Sequence, residues 1–176
     1  MNLWHDIAPG TADEINVIME VPRGSNNKYE VDKDSGLIKL DRVFHTAQQC
    51  PVDYGFVPRT LWDDGDALDV IILATYPFVP GVIVPVRPVA IMKMIDGGDN
   101  DNKVIAVPSG DPRWSHVKDL ADINKHTLKE IEHFYSTYKI LQKKEVKVGG
   151  FASAADAKKA FDKARAAYDK KFVGKK

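Results

Sequence analysis

Residues 63 to 75 read DDGDALDVIILAT, with four aspartates around one glycine running straight into a short apolar stretch. The stretch is too short for a buried helix. Its Val, Ile and Leu content and the nearby Pro77 and Pro80 fit a strand buried on both faces. Working outward, INVIMEV (15–21), KYEVDK (28–33), GLIKLDRV (36–43), VRPVAIMKMI (86–95) and KVIAVP (103–108) read as further strands, and KDSG (33–36) as a hairpin turn. Their spacing predicts a small closed barrel or a strongly bent sheet. The prolines between 77 and 88 predict short strands joined by turns in place of a membrane span.

Past Asp122 the period changes. Leu128, Ile131, Phe134, Tyr138 and Leu141 recur three or four residues apart, which predicts one helical face laid on the sheet. A second helix is predicted from Ser153, with Asp156 completing a capping box, through Phe161, Ala164, Tyr168 and Phe172. With 176 residues, 44% of them apolar, the chain is the size of one domain. Lys plus Arg equals Asp plus Glu at 25 each, so no global field draws it to nucleic acid or an anionic membrane. Cys50 is the single cysteine, which fits a reducing compartment and a buried thiol. MNLWHDIAPGTADE is acidic where an export signal would be basic and then apolar, so a cytoplasmic location is expected.

Asp64 and Asp66 share a side in an extended chain, and a bend near Gly65 can turn Asp69 in beside them. Three converging carboxylates repel by roughly 4 kcal/mol per pair at an effective dielectric near 20, a cost that a cation offsets. A solvated acidic turn is the plain alternative for D-x-D alone. KMIDGGDNDNKV repeats the theme, with Asp96, Asp99 and Asp101 after a second apolar run and Lys103 behind them. Oxygen-only ligands point to Mg²⁺, Mn²⁺ or Ca²⁺. A multi-metal site implies a polyanionic substrate, and Lys28, Glu30, Arg42, Tyr54, Lys103, Tyr138 and Lys139 are the candidates to meet it. Walker, dinucleotide and serine-hydrolase motifs are missing from the sequence. The residues alone leave open an OB-type nucleic-acid binder, a Ca²⁺-stabilised domain, and a hydrolase of nucleotides or longer polyphosphates.

Taken in order, MEVPRGSNNKYEVDKDSG, LDRVFHT, PVDYGFVPRTL, DDGDALDV, KMIDGGDNDNK and HFYSTYK resemble the soluble family I inorganic pyrophosphatases over nearly the whole chain. The resemblance implies an α+β, mainly β fold in one domain, residues 1–176. That fold is an OB-like closed five-stranded barrel flanked by two main helices. It implies hydrolysis of inorganic pyrophosphate to two orthophosphates by a metal-activated water, with several Mg²⁺ ions, or Mn²⁺ as a substitute. By position, Asp64, Asp69 and Asp101 would bind activating metals. Asp96 and Glu30 would hold ions that arrive with substrate, and Glu20 would act through metal-bound water. Asp66 would receive the proton of the attacking water, while Lys28, Arg42, Tyr54, Lys103, Tyr138 and Lys139 would grip the phosphates. A compact homohexamer in the cytoplasm is also implied. Three positions depart from the family pattern: Ala67 for the usual proline, Gly97 where many bacterial members carry glutamate, and Phe151 where tryptophan is frequent. Ala67 is expected to loosen the loop backbone without touching a ligand.

Overall fold

The structure, a computed structural model, describes residues 1–32 and 35–174, so the predicted KDSG turn lies partly outside the described residues. Nine strands and two α-helices make up the fold among the described residues. The strands are β1 (Ile15–Val21), β2 (Asn27–Val31), β3 (Ile38–Val43), β4 (Asp53–Phe56), β5 (Asp69–Ile72), β6 (Ile83–Asp96), β7 (Asp99–Asn100), β8 (Lys103–Pro108) and β9 (Val146–Ser153). The helices are α1 (Lys125–Thr137) and α2 (Ala154–Tyr168).

β1 pairs antiparallel with both β4 and β6, β4 with β5, and β6 with β8, while β5 and β8 run parallel with Val70 opposite Val104. Following these ladders from β1 through β4, β5, β8 and β6 leads back to β1. β7 and β9 extend the sheet from β6, and β2 with β3 forms a separate hairpin placing Lys28 opposite Arg42. The parallel strands β5 and β8 are apolar on both faces because both are covered. In β5, Ile71 joins the cluster beneath α1, which includes Ile131 and Phe134. Val70 and Ile72 join the one beneath α2, which includes Ala160, Phe161 and Ala164. Continuous apolar runs in place of alternation are the sequence mark of that arrangement. Where β4 crosses β1 the backbones nearly touch: a Cβ on Gly55 would lie 2.1 Å from the carbonyl oxygen of Ile18. Only glycine fits beside Tyr54.

Three expectations are corrected. The prolines divide: Pro77 and Pro80 lie in the turn between β5 and β6, as expected, but Pro85 and Pro88 lie inside one long strand, β6, whose register shifts after Pro88. Leu141 is off the helical stripe. α1 stops at Thr137, a 3₁₀ turn covers Ile140–Gln142, and Lys143 at φ 56° ends it, leaving Leu141 66% exposed. Phe172 lies beyond α2 in a π-helical turn, Asp169–Val173, with its ring edge-on to Trp4. The Ser153–Asp156 capping box of α2 is present as read from sequence. Among the described residues, no helix is long and apolar enough to cross a membrane.

Candidate active site

One cavity of about 290 Å³ opens where the β2–β3 hairpin, the acidic loop before β5, the β6–β7 turn and the end of α1 meet. Glu20 from β1, Lys28, Glu30 and Arg42 from the hairpin, and Tyr54 from β4 all line it. So do Asp64, Asp66 and Asp69 of the loop, Asp96, Asp101 and Lys103 around β7, and Tyr138 with Lys139 after α1. Apart from Asp99, every candidate named from sequence therefore faces a single space. Asp99 does not line it.

The first acidic loop takes its shape from backbone hydrogen bonds. Gly65 N–H donates to the Trp62 carbonyl (3.0 Å) and Trp62 N–H to the Asp66 carbonyl (2.7 Å), a tight turn with Gly65 at φ 91°. The Asp64 carboxylate accepts from Asp66 N–H at 3.0 Å, which aims both acids at the cavity. Asp69 opens β5 and Lys103 opens β8, neighbours across the parallel ladder.

Asp64, Asp66 and Asp69 share the cavity without closing into a ready ligand shell. Among the described residues, no three acidic, histidine or cysteine side chains stand close enough together to hold an ion. Lysines are placed among them. Lys103 Nζ, on a residue only 3% exposed, donates to Asp69 at 2.7 Å and to Asp101 at 2.9 Å. Lys139 pairs with Asp96, and Lys28 with Glu30.

Excess negative charge marks the site. Burial pushes the Glu20 carboxyl up to about 8, although its Oε1 accepts the Val31 N–H at 2.8 Å. Burial raises Asp101 to about 7 against the opposing pull of Lys103, and it raises Asp64 as well. Burial alone would lower Lys103, but Asp69 and Asp101 outweigh it and hold the ammonium charged. Burial lowers Lys139 despite its Asp96 partner. The phenols of Tyr54 and Tyr138 are raised by burial and remain hydrogen-bond donors.

This set fits hard divalent cations. The acidic donors are all oxygens, acids outnumber bases, and burial pushes two of the carboxyls up to about 7 and about 8. Each lysine beside an acid is also the group that a phosphate would attract. A polyanion with its cations would exchange partners, giving carboxylates to metal and ammoniums to phosphate.

Some lining residues were not anticipated. Tyr135 is 4% exposed, and its ring lies 5.7 Å from Lys103 Nζ, with the Tyr54 ring 5.3 Å from the same atom. It sits four residues after Ile131 and three before Tyr138, so helical spacing could have placed it. Cys50 also lines the cavity; its thiol donates to the Val52 carbonyl and is pushed up to about 12 by burial. It is not a nucleophile at neutral pH. Trp4, from the turn before β1, closes one wall, and its sequence position gave no hint of that.

The family model described as inorganic pyrophosphatase matches residues 17–169. The chain is 46% identical to the inorganic pyrophosphatase of Haloferax volcanii, over 98% of this chain and 99% of that one. It is 52% identical to the inorganic pyrophosphatase of Leifsonia xyli, over 81% of this chain and 88% of that one. Its fold is similar to the crystal structure of inorganic pyrophosphatase from Thermus thermophilus, with a TM-score of 0.93, 44% identity, and coverage of 96% of this chain and 99% of that chain. A mainly β sheet with two helices, one cavity lined by acids and bases, and these likenesses along nearly the full length lead to one conclusion: the chain belongs to the family I inorganic pyrophosphatases.

Proposed function

We propose that this chain is a metal-dependent hydrolase that splits inorganic pyrophosphate into two orthophosphates, using several Mg²⁺ ions or Mn²⁺ in their place. The observation that carries the reading is the single cavity in which acids from four separate segments alternate with Lys28, Arg42, Lys103 and Lys139. Asp64, Asp69 and Asp101 are the ligands of the activating ions, with Asp96 and Glu30 for those that accompany substrate and Glu20 supporting them from behind. Bound Mg²⁺ would neutralise phosphate charge and lower the pKa of water from its bulk 15.7 toward neutrality.

The remaining work falls to side chains. Asp66, held by its own amide against Asp64, accepts the proton of the attacking water. Arg42 and the three lysines bind phosphate oxygens, and Tyr54 and Tyr138 donate hydrogen bonds to the charge that develops on the leaving phosphate. We read the ring of ladders as a closed OB-like barrel, because its order places the third and fifth ring strands, β5 and β8, side by side and parallel. The described residues support one domain over 1–176, and the buried free thiol of Cys50 supports a cytoplasmic location. The likeness to the family supports a homohexamer, which a monomer mass by light scattering would exclude.

The deciding test is phosphate release from pyrophosphate, ATP and tripolyphosphate, with Mg²⁺ and with chelator. Release from pyrophosphate that stops with chelator and returns with Mg²⁺ is expected. No release from pyrophosphate with any divalent ion overturns the proposal, and faster release from ATP or tripolyphosphate changes the substrate.

A further inference from the structure

Outside the cavity, the acidic loop is fastened by one side chain that contributes nothing to the cavity surface. Thr60 is fully buried, and its hydroxyl accepts the Leu68 N–H at 2.9 Å while donating to the Val57 carbonyl at 2.6 Å. These roles are fixed by chemistry. An amide can only donate, so the hydroxyl must accept there, and its one proton is left for the Val57 carbonyl. Val57 N–H in turn donates to the Leu68 carbonyl at 2.9 Å, and Trp62 N–H to the Asp66 carbonyl at 2.7 Å. Segment 57–62 thus brackets residues 66–68 at three points, and only the Thr60 contact is made by a side chain. Leu68 lies directly before Asp69 and two residues after Asp66, so a shift of its peptide moves both acids.

Thr60 is itself secured. Its carbonyl accepts the Trp4 indole N–H at 2.8 Å, and Arg59 N–H donates to the Trp4 carbonyl at 2.8 Å. Arg59 sits at φ 50°, a conformation that a non-glycine residue adopts only when its surroundings impose it. Its guanidinium Nε donates to the His5 carbonyl at 2.9 Å. Since Trp4 also lines the cavity, the turn before β1 and the acidic loop are two walls of one space, and the buried Thr60 bonds to both.

We infer that Thr60 is a positioning residue for the reaction, setting Asp66 and Asp69 through the Leu68 amide, with Trp4 setting Thr60. This rests on the reading of the cavity as a site of metal-dependent pyrophosphate hydrolysis. It also explains how the loop tolerates Ala67: the bracket supplies the rigidity that the usual proline would give.

The test compares Thr60→Val, which has the same shape without the hydroxyl, with Thr60→Ser, which keeps the hydroxyl. Turnover and KM for pyrophosphate are measured on the folded fraction, and Mg²⁺ binding by calorimetry without substrate. Expected for Thr60→Val is a loss of turnover of about 10- to 100-fold, the scale of a misplaced reacting group, with KM changed less and Mg²⁺ bound more weakly. Thr60→Ser should restore both. A merely structural threonine would lower the melting temperature of Thr60→Val while leaving turnover and Mg²⁺ affinity at parental values, and that result overturns the inference. If Thr60→Val does not fold, Trp4→Phe decides by the same two readouts, with a smaller change in the same direction expected and parental values overturning it. Should the parent protein itself release no phosphate, the reading of the cavity as a hydrolase site fails. Mg²⁺ titration of the same variants then decides the placement by Thr60 alone.

Discussion

The two acidic loops present the same residue type to the same cavity, yet they are held by different means. Residues 64–69 hang mainly on a bracket of buried backbone and hydroxyl hydrogen bonds, with Asp69 at their end also paired to Lys103. Residues 96–101 make a β6–β7 turn around Gly97 and Gly98, at φ 58° and 97°, with nothing within 4 Å of where either Cβ would be. Its acids are held by lysines instead, Asp96 by Lys139 and Asp101 by Lys103. The first loop is set before any ligand arrives. The position of the second depends on what else attracts those lysines, and a phosphate compound is the strongest competitor.

Removing Lys103 should test the comparison hardest. Lys103→Met leaves Asp69 and Asp101 partly buried without their cation and should cost about 3–5 kcal/mol in chemical denaturation. Mg²⁺ should recover more of that in the variant than it adds to the parent. Equal Mg²⁺ effects would mean that these acids do not meet the ion. Next in size, Asp66→Asn should leave the denaturation midpoint in place and cost at least two orders of magnitude in turnover, about 2.7 kcal/mol in barrier. Near-parental phosphate release would take Asp66 out of the proton-accepting role.

The glycines give a smaller contrast. Gly65→Ala places a Cβ in open space but at φ 91°, so strain alone should destabilise it by about 1–2 kcal/mol, measurable as a shifted midpoint at unchanged slope. Since this loop is the rigid one, turnover should fall with it, whereas Gly98→Ala at φ 97° should disturb turnover less. Equal losses would erase the distinction. Smallest is Asp63→Ala. The Asp63 carboxylate accepts from Lys163 Nζ and Asn100 Nδ2, each at 2.7 Å, and so links the two loops on the outside. The pair is solvent-exposed, so the loss should stay below about 1 kcal/mol and fade with added salt.

The sequence disclosed the parts of the molecule whose signal is local. β1 and β8 match the predicted runs residue for residue because both faces of each are buried, and the α2 cap is legible because a capping box is a four-residue motif. β4 and β9 were not read. One is four residues long with Gly55 inside it, and the other carries Gly149 and Gly150 where a loop was the natural reading. Among site residues, the acids and bases announce themselves by charge. Thr60 and Trp4 do not: a threonine and a tryptophan acquire their importance from hydrogen-bond partners 8 and 56 residues away, which neither charge nor periodicity reveals. The lysines were named, but the pairing of Lys103 with Asp69 and of Lys139 with Asp96 was not read, since pairing across segments is a property of the folded chain.

The parallel pairing of β5 with β8 has a consequence for how the molecule comes into being. Parallel neighbours need a long crossover, and this one holds the whole of β6, so Asp69 and Lys103 meet only after the chain has travelled out and back. A nascent chain that has released only its first half therefore owns no partial catalyst. Competence arrives only once both sides of that crossover are in place.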